Sequence, residues 1–229
     1  MLKELILTNI LAIETSSPIC SVSLKTDNKE SSVQTSDGQN NHGAVIFDFI
    51  EEVLKEAQIS KKELDFIAFS SGPGSFTGLR IGCSVAQGLG YGLNIPILPI
   101  SSLQILAQQT FDQKNLKNIS VILDAHMEEL YIGQYKNAND LAEPINKDLS
   151  LKKSELVEFL SINDLDSNFI GAGCSFLPDK YKDDINTEIV PLANTLFKIA
   201  EKMIVNKEYS RPEDVILNYL SGEDHWSKS

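Results

Sequence analysis

Basic residues are scarce in this chain of 229 residues: 20 Lys and Arg stand against 32 Asp and Glu, a net charge of −12. A surface so acidic repels phosphate backbones, which argues against the chain holding nucleic acid by itself. Cysteine is nearly absent. Cys20, Cys83 and Cys174 make an odd count with no C-x-x-C pair, which excludes a disulfide framework and fits free thiols in a reducing, cytoplasmic setting. There are only three histidines, His42, His126 and His225, and none has another three or four residues away, so no helical metal pair exists. No serine or cysteine sits in a G-x-S-x-G elbow, which removes that route to nucleophilic catalysis. No apolar run is long enough to cross a membrane, and the first nine residues, with Glu4 early and no small-residue cleavage site, do not read as a signal peptide.

Glycine, by contrast, is concentrated. Asp65 to Phe69 reads as a strand, Gly72-Pro73-Gly74 as a turn and Ser75 as the cap of a helix. In that helix Gly74, Gly78, Gly82, Ala86 and Gly90 recur every four residues. Four residues advance a helix by about 400°, so the series forms one ridge drifting about 40° per step. An interior glycine costs roughly 0.8–1 kcal/mol against alanine, so the ridge needs a compensating reason, and close packing by another helix is the expected one. The stretch is not a phosphate loop, because Leu79 follows Gly78 where a lysine is required. Its G-x-G-x-x-x-G spacing also misses the dinucleotide fingerprint. The backbone N–H groups at 74–77 are of the kind that hold an anion at a helix start.

Along the chain, Ile10–Glu14, Cys20–Leu24 and Ser32–Thr35 read as strands and Val45–Ala57 as an amphipathic helix. Ile95–Pro99 is a short extended stretch whose prolines restrict it to an edge or an end, and Leu103–Gln109 is helical. Beyond Asn115–Asn118, strands are expected at 119–123, 129–135, 145–151 and 168–172, with helices at 154–160 and 192–205. Three strands, helix, strand, helix therefore occurs twice, which suggests an α/β protein of two similar lobes. The expected division is 1–114, a smaller lobe at 115–210, and a tail at 211–229 that returns to the first lobe and ends loosely. Glu14, Thr15, Ser16 and Asp124 lie at strand ends, where they read first as turn-capping residues and second as remnants of a phosphate turn.

Four segments carry a family resemblance: Ile10-Leu-Ala-Ile-Glu-Thr-Ser16, Ser71-Gly-Pro-Gly-Ser-Phe-Thr-Gly-Leu-Arg-Ile-Gly82, Ala86-Gln-Gly-Leu89 and Leu123-Asp-Ala-His-Met-Glu-Glu-Leu-Tyr131. Together they resemble the TsaB (YeaZ) family, partners of TsaD in making threonylcarbamoyladenosine beside the tRNA anticodon. The resemblance implies two duplicated lobes of the actin/sugar-kinase/heat-shock-ATPase type (βββαβα twice), the second reduced. It also implies a scaffold subunit without catalysis of its own. TsaD-like sequences carry an acidic pair and a histidine pair where this chain has Pro18-Ile19 and Ser101-Ser102. A carbamoyl-transferring site needs such electrophilic help, so neither a metal nor a cofactor is expected on the isolated chain. Whether a nucleotide sits at the partner interface is left open by the residues. His126 and Glu128 replace the family's usual Arg and Gly.

The implied partners are TsaD directly, TsaE (an ATPase) and tRNA through the complex, a second copy when alone, and no membrane. The expected interface uses Val45, Phe49 and Val53 of one helix with Phe76, Thr77, Gly78, Arg80, Ile81, Gly82, Val85 and Ala86 of the next. The competing reading is an enzyme, either an ATP-dependent phosphotransferase using Glu14 and Asp124 or a metallopeptidase-like protein.

Overall fold

The computed structural model describes residues 8–27, 29–34, 41–162, 168–181 and 186–220. The expected features at the extreme N-terminus, at Thr35, in the loop at 36–40 and at His225 lie outside them. Two compact units emerge. Of the described residues, one takes in those from 8 to 71, then 75–100 and 192–217; the other takes in 72–74, those from 101 to 191 and 218–220.

In the first unit the strands β1 (Ile10–Glu14), β2 (Ser21–Lys25), β3 (Glu30–Gln34), β4 (Phe66–Gly72) and β5 (Ile97–Ser101) form a sheet in the order β3-β2-β1-β4-β5. β1 runs antiparallel to β2, with Glu14 opposite Ser21, and parallel to β4, with Ile10 opposite Phe66. Every residue of β1 is buried. That follows from its position, because a central strand covered on both faces has no solvent side on which to alternate. On one face Leu11, Ile13, Val22, Leu24, Ile67 and Phe69 meet Ile46, Ile50 and Val53 of α1 (His42–Ala57) and Cys83 and Ala86 of α2 (Phe76–Leu93). The segment Ala193–Thr195 and the N-terminal part of the last helix pack on β1 and β2, and the N–H of Ala193 donates to Ser21 Oγ at 2.9 Å. Each large aliphatic side chain so buried contributes about 1.5–3 kcal/mol.

The second unit contains α3 (Ser102–Gln113), β6 (Asn118–His126), β7 (Glu129–Ala138), β8 (Leu141–Pro144), β9 (Leu149–Lys152), α4 (Leu156–Ile162) and β10 (Asn168–Ile170). Its sheet has the order β10-β6-β7-β8, with β9 also on β7. Of the strand expected at 145–151 only 149–151 is extended, as part of β9; β8 lies before it, and both pair with β7. Asp148, just before β9, accepts from Ser101 Oγ at 2.5 Å and from Tyr135 OH at 2.6 Å.

The expected domain division is corrected in three places, the shortest being the turn at 72–74, which clusters with the second unit. α3 belongs to the second unit, because Leu103, Leu106, Ala107 and Phe111 share a core with Ile119, Val121 and Tyr135. The final helix, α5 (Leu196–Asn206), belongs to the first, together with residues up to Leu217, because Val215 enters that unit's core. Of the expected tail, 211–217 does return to the first unit, whereas 218–220 clusters with the second.

Candidate functional site

The helix α2 starts on its own serine: Ser75 Oγ accepts the N–H of Gly78 at 3.2 Å, and the helix ends at Asn94 in the left-handed region. Its small-residue ridge faces inward. A Cβ on Gly78 would overlap the carbonyl oxygen of Thr15, and one on Gly82 would overlap Thr15 Oγ1. Ala86 is wholly buried, and a Cβ on Gly90 would press on Ile97 of β5. The expectation that Gly78, Gly82 and Ala86 meet a partner is therefore corrected: they let α2 lie directly on its own sheet and on the turn after β1. Val53 is likewise a core residue, and Val45 and Phe49 are half-buried against the same core.

The other face of α2 is open. Together with α1 it bounds an apolar groove of about 610 Å³. Phe76, Thr77, Arg80, Ile81 and Val85, all expected from the sequence, line it. Phe47 from α1 and Ser84, Gly88 and Leu89 from α2 line it too, and these were missed. Phe47 is 57% exposed although its neighbour Ile46 is wholly buried. A signal was available in α2, where Ser84, Gly88 and Gly92 form a second series of small residues; around α1, Phe47 falls within about 20° of the core residue Leu54, so phase did not mark it. The guanidinium carbon of Arg80 lies 3.5 Å from the centre of the Phe76 ring. Arg80 is the one ionisable side chain in the groove lining. Tyr91, 78% exposed, continues the apolar surface toward the end of α2.

The turn after β1 is closed by its own chain. The N–H of Ser75 donates to the carbonyl of Ser16 at 2.8 Å, and Thr15 Oγ1 donates to the carbonyl of Gly78 at 2.8 Å. Hydrogen bonds within the unit thus hold the turn against the start of α2. Glu14 is fully buried; one carboxyl oxygen accepts the N–H of Ser16 at 2.5 Å and the other has no hydrogen-bond partner. Burial pushes its carboxyl up to about 7, against the opposing hydrogen bonds from Ser16 and Ser70. An acid that holds its proton near neutrality and faces no open space is poorly suited to binding a metal–phosphate group.

Asp124, in the second unit, accepts from Lys153 Nζ at 3.0 Å and from the N–H of His126 at 3.1 Å. Burial raises its carboxyl, but these two partners outweigh it and hold Asp124 below the ordinary aspartate value. It caps a hairpin turn in which His126, Met127 and Glu128 all have positive φ (62°, 43° and 65°). His42 is buried, with Nε2 2.8 Å from the carbonyl of Ser17. The three cysteines are buried free thiols, and burial pushes Cys20 and Cys174 up to about 12. Among the described residues no group of three or more His, Cys, Asp or Glu is placed to share a metal ion, and no helix is long and apolar enough to cross a membrane.

Comparison with known proteins supplies the family. Residues 28–207 match the family model described as TsaD, tRNA N6-adenosine threonylcarbamoyltransferase. A tRNA threonylcarbamoyladenosine biosynthesis protein TsaB from Buchnera aphidicola (subsp. Acyrthosiphon pisum) is 31% identical, over 92% of this chain and 96% of its own. TsaB from Haemophilus influenzae is 29% identical over 96% of each chain. The solved structure of YeaZ from Pseudomonas aeruginosa superposes with a TM-score of 0.84 at 27% identity, covering 93% of this chain and all of that one. With its two five-stranded sheets on the actin/sugar-kinase/heat-shock-ATPase plan, the chain belongs to the TsaB (YeaZ) family.

Proposed function

We propose that this chain is a non-catalytic scaffold subunit in the formation of threonylcarbamoyladenosine on tRNA, and that it works by holding a TsaD-type transferase on the outer face of α1 and α2. The observation that carries this reading is the apolar groove between those helices, with Phe47 and Phe76 exposed at its rim. Large exposed aromatics side by side are what a monomer would bury on a partner. A stable partnership needs about 1,600 Å² of buried surface in total, and one pair of long helices can supply most of one side.

The remaining parts follow from the same reading. The chain alone binds no cofactor; a nucleotide, TsaE and tRNA engage the assembly, and tRNA meets its basic surface elsewhere than on this acidic subunit. Without the transferase the exposed face closes on a second copy. Three buried thiols suit a cytoplasmic setting. The phosphotransferase alternative is weakened by Glu14, whose carboxyl is fully buried.

The test is co-purification and tRNA modification with the transferase subunit of the same organism. Modified tRNA should require both chains. Phe47→Asp should abolish complex and modification together, because a charge placed in an apolar contact is left without compensation. Full modification without this chain, or with the Phe47→Asp variant, would overturn the reading.

A further inference from the structure

Glu14 stands where a proton decides how well the turn after β1 can close. Its carboxyl is fully buried; one oxygen accepts the N–H of Ser16 and the other has no hydrogen-bond partner. An orphan oxygen is tolerable on a neutral acid and costly on a carboxylate, whose charge is then left unsolvated. The neighbours give no relief. β2 brings Cys20, whose thiol is held up at about 12 by burial and by the Glu14 charge, so it stays neutral. β4 brings the hydroxyl of Ser70, α2 brings Cys83, a thiol also raised by burial, and the segment Ala193–Thr195 carries nothing ionisable. α1 brings His42 to the same turn, with Nε2 2.8 Å from the carbonyl of Ser17.

This turn also holds the start of α2. The Ser16 carbonyl accepts the N–H of Ser75, Thr15 Oγ1 donates to the Gly78 carbonyl, and the N–H of Leu79 donates to the Ser75 carbonyl to begin the helix. Phe76, Thr77 and Arg80, at that end of α2, line the groove. Ser17, Pro18 and Ile19, just beyond Glu14, are half-buried or exposed. A movement of the turn alone therefore brings water to the carboxyl and leaves the sheet intact.

We infer that Glu14 is a proton-operated clasp on the start of α2: protonated, it keeps the turn shut and the first residues of the helix fixed; ionised, it draws water in and frees both, so that the hold on the partner slackens as pH rises toward neutrality. The inference rests on the reading of the α1–α2 face as the partner surface and adds how that face is regulated. Its sign follows from linkage. The closed carboxyl titrates at about 7 and an opened, hydrated one near the ordinary 4.5, so opening grows about tenfold per pH unit between these values and levels off above them.

The test follows amide exchange in the chain alone by NMR from pH 5.5 to 7.5, expressed as protection so that the pH dependence of the chemical exchange step cancels. Protection at Ser16, Ser75 and Gly78 should lie below that at Ile67, whose N–H is bonded within the sheet, and should fall about tenfold or more across the range. In Glu14→Gln it should stay flat. Calorimetric titration with the transferase subunit of the same organism should give a Kd that rises severalfold over the same range for wild type and not for Glu14→Gln. Protection at the clasp equal to that at Ile67 at every pH would mean global opening and overturns the inference. A flat wild-type profile does the same, and decides the matter even if Glu14→Gln fails to fold. A pH dependence that persists in Glu14→Gln assigns the titration to His42 or another group, which also overturns it. If the clasp opens but the two Kd values change alike with pH, its control of the face is refuted. Absence of transferase binding at every pH sinks the partner reading and the control of the face with it, while the exchange data still decide the clasp.

Discussion

Replacing Gly78 by alanine isolates the reason for the inward ridge. The new methyl would overlap the carbonyl oxygen of Thr15, a main-chain atom whose neighbours are pinned by the Ser75 N–H to Ser16 bond. That oxygen cannot swing aside as a side chain would. Overpacking of this kind costs about 1–3 kcal/mol or more, whereas alanine's better helix propensity returns only about 1 kcal/mol. The expected net loss is about 1 kcal/mol or more, a fall in Tm of at least about 2–4 °C for a chain of this size. Gly82→Ala should lie near zero, because the clash is with Thr15 Oγ1, which can rotate at the loss of its bond to the Gly78 carbonyl, about 1 kcal/mol. Gly88→Ala meets nothing and should raise Tm by about 2–4 °C. Thermal unfolding followed by circular dichroism ranks the three. A Gly78→Ala variant that melts at or above wild type would refute the argument, as would a Gly88→Ala variant that melts below it.

Three further outcomes can be measured. Glu14 binds its proton more tightly folded than unfolded, with the value raised from 4.5 to about 7, so the unfolded chain ionises first and stability falls as pH rises through that window. The full effect is about 3 kcal/mol, and Glu14→Gln should remove it: urea unfolding at pH 5 to 8 that shows equal slopes for both proteins would sink the assignment. Tyr135→Phe deletes the hydroxyl donated to Asp148, leaving a half-buried carboxylate oxygen short of a partner, at a cost of about 1–3 kcal/mol in chemical denaturation. Finally, the chain alone should show no micromolar affinity for tRNA at about 0.15 M salt, where the Debye length is about 8 Å; tight binding in a filter or anisotropy assay would contradict the reading of its −12 charge.

Much of this was legible from residues alone. The central strand Ile10–Glu14, both long helices and the edge position of the proline-bearing β5 follow from local pattern and turn chemistry, which act over a few residues. The direction of the glycine ridge did not follow. A row of small residues says that something comes close, but not whether it is the chain's own sheet or another molecule. Helical phase could have decided it, because Gly78, Gly82 and Ala86 share a side of α2 with the core residues Leu79 and Cys83, while Ser84 and Gly88 lie on the other. Unit membership was also hidden, since α3 and α5 each contact residues far from them in sequence. The late start of β9 within the strand expected at 145–151 follows the contact of Asp148 with Tyr135 and Ser101, which no local pattern announces.

The latch after β1 bears on how this lineage can change. What fills the turn is peptide backbone: the Ser16 carbonyl held by the Ser75 N–H, and the Thr15 carbonyl lying against Gly78. Point mutation exchanges side chains and leaves such atoms in place. Putting acids at Pro18 and Ile19 would add side chains beside a turn whose main-chain contacts stay in place. Reopening it takes an insertion or deletion that moves the start of α2, and such a change would strip the Gly78–Thr15 contact on which the helix rests before any new activity could be selected. The specialisation therefore works as a ratchet.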